Sequence, residues 1–275
     1  MFYLPFSCFH ILIHFMTEVK VMTFNLRYDN PQDGENRWEN RKGVVAQIIA
    51  NFSPDIFGTQ EGWEGQIKSL QKLIPSYRLC VHAPEWDYKR MFPCVWVKED
   101  LEVSYFNTFW LSLTPSVPFS RNWESAYPRS ATYVLVKKKG ISFLFVCTHL
   151  DNISTKARLH QAMVLWQEIN RINVRHLPLI LVGDFNTSPD SEVHQFLTGQ
   201  REIEGVKGNL VDVWQALHQP ESGTFHAFTG RDIRGRIDWI LVSPEIGIKR
   251  AVLIKDTPRR RYPSDHFPVG AVLEI

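Results

Sequence analysis

Leu179-Ile-Leu-Val-Gly-Asp-Phe-Asn186 is the stretch whose reading decides the fold of this chain. Its unbroken aliphatic run predicts a buried-type strand, and the strand runs straight into Asp184 and Asn186. Period-two spacing predicts that these two polar side chains share a face and converge on one site. An unpaired carboxylate at the edge of an apolar strand is costly unless a cation or hydrogen bonds compensate it.

The same arrangement recurs outward from this point. Cys147-Thr-His-Leu-Asp-Asn152 follows the apolar Phe143-Leu-Phe-Val146 and places His149 and Asp151 two apart. Arg236-Ile-Asp-Trp-Ile-Leu-Val-Ser243 sets a lone carboxylate, Asp238, among apolar neighbours, and Ser264-Asp-His266 precedes the strand-like Pro268–Ile275. Glu61 follows Ile56-Phe-Gly-Thr-Gln60, and Asn25 follows Val21-Met-Thr-Phe24. Taken singly, each is an ordinary cap, turn or structural histidine. Several such costs in one chain point to one shared polar centre.

The remaining pattern supplies the scaffold. Strands are expected at 18–27, 55–59, 77–81, 94–97, 102–106, 131–137, 142–148, 179–182, 236–242, 248–255 and 269–274, with a hairpin turn at Lys137–Gly140. Ser154 can cap a helix in which Leu159, Ala162, Met163, Trp166, Ile169 and Ile172 recur at three- and four-residue intervals. Residues 38–51, 63–74 and 191–197 read as further helices. No linker or repeat divides the chain, so a single α+β domain is expected, with two sheets face to face beneath outer helices.

Composition agrees. Of the 275 residues, 44% are hydrophobic and 22% charged, and 31 basic residues against 29 acidic ones leave a net charge of +2. These values exclude a disulfide-held mini-protein, a disordered chain and a polytopic membrane protein, and they demand no nucleic-acid partner. Cys8, Cys80, Cys94 and Cys147 form no C-x-x-C pair, so a reduced compartment, the cytoplasm, is expected. Residues 1–15 are apolar, yet they lack the basic start and small-residue cleavage site of a signal peptide and are too short for a membrane-spanning helix. They are expected to be an N-terminal extension or start-site artefact outside the fold, secretion or membrane attachment being the alternatives; the domain is expected at 16–275. No stable membrane insertion and a monomer are expected.

In order and spacing, Thr23-Phe-Asn-Leu-Arg27, Gln60-Glu61, Thr148-His149, Gly183-Asp-Phe-Asn186, Arg236-Ile-Asp238 and Ser264-Asp-His266 resemble the motif set of the endonuclease/exonuclease/phosphatase superfamily, over roughly residues 19–275. The resemblance implies a four-layer α/β/β/α sandwich of the deoxyribonuclease I-like kind. It implies hydrolysis of phosphoesters at one end of the sheets, with a divalent cation, usually Mg²⁺, with Mn²⁺ the alternative. Abasic-site endonucleases of the superfamily carry Asp where this chain has Arg27, and Tyr-x-x-Asn where it has Thr148-His-Leu-Asp-Asn152, so that activity is not expected. Phe24-Asn-Leu-Arg-Tyr-Asp-Asn-Pro31 and Gly34-Glu-Asn-Arg-Trp38 resemble a bacterial-type subgroup of unsettled substrate.

Roles follow from the resemblance residue by residue. Glu61, helped by Asn25 and Asp265, would hold the metal; Mg²⁺ needs only one or two carboxylates besides water and substrate oxygens. Asp184 would activate water, Asn186 would donate to a phosphate oxygen, and His149 and His266 would stabilise the transition state, one of them protonated. Asp238 is the better orienting partner for His266, because adjacent Asp265 and His266 point apart in an extended chain. Arg129, in Tyr127-Pro-Arg-Ser130, matches the place of a phosphate-binding arginine. Two basic groups lie near these motifs: Arg231, Arg234 and Arg236, then Lys249, Arg250, Lys255 and Arg259-Arg-Arg261. They could follow a nucleic-acid backbone or grip a charged headgroup, and Trp63, Trp86, Trp110 and Trp123 could stack on bases. A phosphodiesterase or nuclease acting on nucleic acid or nucleotides is expected first. A phosphatase or sphingomyelinase-like phospholipase for a small headgroup comes second, and an inactive binding module third. A glycosidase would leave the two histidines and two asparagines unexplained.

Overall fold

Parity along the strands decides which side chains meet. The computed structural model describes residues 16–83 and 90–275, so residues 1–15, Cys8 among them, and Trp86 lie outside the described residues. Its strands are β1 (Glu18–Asn25), β2 (Ile56–Gln60), β3 (Tyr77–Cys80), β4 (Cys94–Lys98), β5 (Glu102–Trp110), β6 (Ser130–Lys138), β7 (Ile141–His149), β8 (Leu179–Asp184), β9 (Val211–Asp212), β10 (Asp238–Val242), β11 (Gly247–Leu253) and β12 (Val269–Glu274). They form two six-stranded mixed sheets, ordered β11-β12-β1-β2-β4-β3 and β5-β6-β7-β8-β10-β9.

In β1, Val19 and Val21 face the other sheet, while Met22 and Phe24 face the opposite way. In β8, Ile180 and Val182 point inward and Leu179 and Leu181 outward. Strands apolar on both faces require cover on both, and helices provide it. Helices α1 (Trp38–Phe52) and α2 (Glu64–Leu73) cover the first sheet through Val45, Ile48, Ile49, Ile67 and Leu70. Helices α3 (Thr155–Ile172) and α4 (Glu192–Leu197) cover the second through Ala162, Leu165, Ile169, Val193 and Phe196. The result is an α+β, four-layer α/β/β/α sandwich. As expected, the Ser154 side chain caps α3 by accepting from the Ala157 N–H.

Glycine lets the layers close. A Cβ on Gly58 of β2 would lie 2.5 Å from Cys147 Sγ and 2.8 Å from Val182 Cγ2 in the facing sheet. Inside the second sheet, a Cβ on Gly183 would lie 2.2 Å from the Thr148 carbonyl oxygen, where β7 and β8 run parallel.

Some boundaries differ from the sequence reading. The first strand stops at Asn25, because Arg27 turns into the left-handed region at φ 54°. β5 continues past Phe106 to Trp110, paired throughout with β6. The two-residue β9 and the helical turn α5 (Val213–Ala216) after it were not expected, being too short to leave a period.

Candidate active site

The parity that packs the sandwich also assembles its polar end. Asn25, His149, Asp184 and Asp238 continue the inward-facing series Val21, Cys147, Val182 and Ile240 at the strand ends. Register completes the alignment, for Asp184 is the cross-strand partner of both His149 and Asp238, and Asn25 is that of Gln60. Glu61, next in the chain, turns at φ 63° toward the same space.

The side chains are in contact. Asn25 Nδ2 donates to Asp184 Oδ2 at 3.0 Å and to Glu61 Oε1 at 3.2 Å, joining the two sheets, while its Oδ1 accepts from Arg27 N. Glu61 also accepts from Tyr28 N at 3.2 Å. His149 Nε2 lies 3.5 Å from Asp184 Oδ2 and 3.0 Å from Asn186 Nδ2. His266 Nδ1 lies 2.8 Å from Asp238 Oδ2, leaving the buried Asp238 Oδ1 without a partner. Asp265 stands to one side, 3.7 Å from Arg27 Nε.

The route by which Asn186 joins the site corrects the sequence argument. β8 ends at Asp184, and Asn186 is not on a strand face at all: it sits in a left-handed turn at φ 53°, held by its own N–H donating to Asp184 Oδ1 at 2.8 Å. The arginines also divide. Arg129 is buried, donates to Asn152 Oδ1 at 3.1 Å and keeps an unpartnered Nε. Arg236 is buried as well, with its guanidinium already paired with Asp212 and Glu221. Lys249 pairs with Glu274, Lys255 with Ser222 and Arg261 with the Glu35 carbonyl. Trp63 and Trp110 line a cavity, whereas Trp123 stacks on His160.

Charge in the cluster is unevenly placed. Burial, reinforced by the charge of Asp238, pushes the Asp184 carboxyl up to about 7. Burial opposes a charge on His266, but the Asp238 carboxylate outweighs it and raises His266 to about 10. Burial, with the charges of Arg129 and His266, holds His149 well below the usual histidine range. His266 is therefore the charged member of the pair at neutral pH, and His149 the neutral one.

A divalent cation fits this arrangement. Single ligand atoms of Glu61, His149 and Asp184 lie within 4.8 Å of one another; those of Asp184, Asp238 and His266 do too, but there the charged His266 already supplies the cation. Two of the three donors in the first group are carboxylate oxygens, the ligand type a hard divalent cation takes. Asp265 belongs to neither group.

One buried cation escaped the sequence reading. Arg41, fully buried on α1, donates to the carbonyls of Leu26, Arg27, Asn36 and Pro263, which ties the loop after Asn25 to the loop before Ser264. It sits on a helix that reads as ordinary amphipathic periodicity, and no local motif marks it.

Beside Glu61 and His149 opens a cavity of about 420 Å³, walled by Tyr28, Trp63, Trp110, Phe119 and Tyr127, with Arg129 at its inner side.

A sandwich carrying acids, amides and two histidines at one end of its sheets has side chains of the kinds that phosphoester hydrolysis uses. The sequence profile of the Endonuclease/Exonuclease/phosphatase family matches residues 22–266, and the chain belongs to that family, whose members generally use a divalent metal. It is similar to the mannosyl-6-phosphatase of Bacteroides thetaiotaomicron, at 31% identity and TM-score 0.82 over 93% of this chain and 99% of that one. An endonuclease/exonuclease/phosphatase from Bacteroides vulgatus shares 31% identity and TM-score 0.84 over 94% and 99%. Human nocturnin is 25% identical over 84% of this chain, which spans 57% of that protein's length. Among the described residues, no helix is long and apolar enough to cross a membrane.

Proposed function

We propose that the protein is a Mg²⁺-dependent phosphatase acting on small phosphorylated sugars. The observation that carries this reading is the cavity beside Glu61 and His149. Its volume of about 420 Å³ falls among small-molecule sites, commonly about 300–1,000 Å³. Aromatic faces suit the apolar side of a sugar ring, while Arg129 suits the phosphate at its inner side. The likeness to a mannosyl-6-phosphatase supports the same choice. The nuclease expectation ranks below it: none of the basic residues flagged for a nucleic-acid backbone lines this cavity. The buried free thiols of Cys80, Cys94 and Cys147 accord with a cytoplasmic protein.

Glu61, with Asn25 beside it, would hold the metal, which when bound neutralises phosphate oxygens and lowers the barrier to attack on phosphorus. Asp184, poised near neutrality, takes the proton of the attacking water. Asn186 holds His149 in place, its two Nδ2 hydrogens going to His149 Nε2 and to the Leu150 carbonyl. His266, kept charged by Asp238, stabilises the negative charge that grows on the transferring group. Arg129, which lines the cavity, offers its guanidinium charge to the phosphate.

The test is a substrate panel with Mg²⁺ or Mn²⁺: hexose 6-phosphates, p-nitrophenyl phosphate, bis-p-nitrophenyl phosphate, inositol phosphates, sphingomyelin, and single- and double-stranded DNA. Hexose 6-phosphates should give the highest kcat/KM. DNA or the diester cleaved equally well would restore the nuclease reading.

A further inference from the structure

Asp238 and His266 meet at 2.8 Å although 28 residues separate them. Asp238 opens β10, but His266 lies outside the named strands and makes an isolated bridge to Phe225. What holds the pair in register is the segment 224–227, which belongs to none of the motifs that marked the site.

This segment is bonded on both sides. Toward His266, Phe267 N donates to the Thr224 carbonyl at 2.8 Å, and His226 N and Ala227 N donate to the Asp265 carbonyl at 2.8 and 3.2 Å. The Phe225 ring packs edge-on against the His266 imidazole, centroids 5.0 Å apart. Toward Asp238, Thr224 N donates to the Gly235 carbonyl at 3.0 Å, and Thr224 Oγ1 accepts from Ile237 N at 3.0 Å and Asp238 N at 3.2 Å. Thr224 is fully buried. Its carbonyl binds the residue after His266, and its hydroxyl oxygen binds the backbone of Asp238 itself.

We propose that Thr224 is a positioning residue for the reaction, a two-sided staple that sets the distance and angle between Asp238 and His266. The hydroxyl oxygen fixes where β10 begins, and the carbonyl fixes where the His266 loop runs. Valine has the same shape but no acceptor, so it would strand the Ile237 and Asp238 N–H groups in a buried site and let the start of β10 shift. Serine keeps the acceptor. The inference rests on the catalytic reading of Asp238 and His266, and the controls separate the two.

The experiment compares Thr224→Val, Thr224→Ser, His266→Ala and Asp184→Ala on hexose 6-phosphates and p-nitrophenyl phosphate with Mg²⁺. Thr224→Val should lower kcat by about 10–100-fold, the usual effect of losing a group that orients a reacting one, with KM nearly unchanged, and Thr224→Ser should restore most of the rate. Wild-type kcat in Thr224→Val, beside an inactive His266→Ala, would overturn the staple and leave the site intact. Activity surviving in both His266→Ala and Asp184→Ala would overturn the site and the staple together. A crystal structure of Thr224→Val, or of Thr224→Ala should valine not fold, gives a second readout. The Nδ1–Oδ2 separation should open beyond about 3.5 Å; a contact kept at its present length would overturn the proposal.

Discussion

Replacing Arg236 by Met should destabilise the protein without touching substrate binding. Arg236 and Asp212 each have side chains 1% exposed, and they share two hydrogen bonds of 3.2 and 2.9 Å. Asp212 also accepts from His194 Nε2 at 2.8 Å and caps the short helix α5 through Trp214 N. Removing the guanidinium leaves Asp212 buried without its cation, a change that costs about 3–5 kcal/mol; Glu221, half-exposed, adds little. At roughly 2–4 °C per kcal/mol for a domain of this size, the melting temperature should fall by about 6–20 °C. Urea unfolding followed by circular dichroism measures the loss. The double variant Arg236→Met/Asp212→Asn should recover much of it, since the uncompensated charge is gone while the amide can still cap α5. A single variant within about 1 kcal/mol of wild type would refute the buried-cluster argument. A large rise in KM with stability unchanged would instead return Arg236 to the substrate-binding role its sequence neighbourhood suggested.

Other outcomes follow from the site. Asp184→Asn should abolish turnover by about 10²–10⁴-fold. In chelator, wild-type stability should carry a component that falls as pH rises from about 4 to about 7, because folded Asp184 holds a proton that the unfolded chain has released. Asp184→Asn should remove that component, and identical pH–stability curves for the two proteins would contradict the assigned burial. Chelation should stop wild-type hydrolysis, with Mg²⁺ or Mn²⁺ restoring it and raising the melting temperature; Glu61→Gln should lose the thermal shift, and a shift retained in full would move the ligand elsewhere. Gly183→Ala should lower the unfolding free energy, measured by urea denaturation, by about 1–3 kcal/mol of overpacking and reduce kcat as well, since the clash parts β7 from β8 beside His149 and Asp184. Wild-type values for both would mean that the strands have room to give.

The fold was legible wherever a strand was long enough to carry a period. Leu179–Val182 declared itself by composition, and α3 by its spacing and its Ser154 cap. The clustering of Asn25, His149, Asp184 and Asp238 was legible because each ends or interrupts an apolar run, and burial makes such interruptions expensive. Two kinds of information were not. Asn186 reaches its place through a left-handed turn, which strand periodicity cannot foresee. Arg41, Thr224 and the Arg236–Asp212 pair owe their roles to partners distant in sequence, so no local window contains the reason for them. Arg236 shows the hazard most clearly: in the chain it follows Arg231 and Arg234, while its partners in space are the carboxylates of Asp212 and Glu221, which already neutralise it.

Asn25 and Glu61 belong to one sheet, whereas His149, Asp184 and Asp238 belong to the other, so turnover is a gauge of how the two halves ride on each other. Sliding one by half a residue, about 1.7 Å, would keep most of the oil-like interior intact yet exceed the roughly 1 Å misplacement that can forfeit a hundredfold in rate. Substitutions at the remote end of that interior, at Val19 or Leu273 for instance, should therefore dim the enzyme well before they melt it.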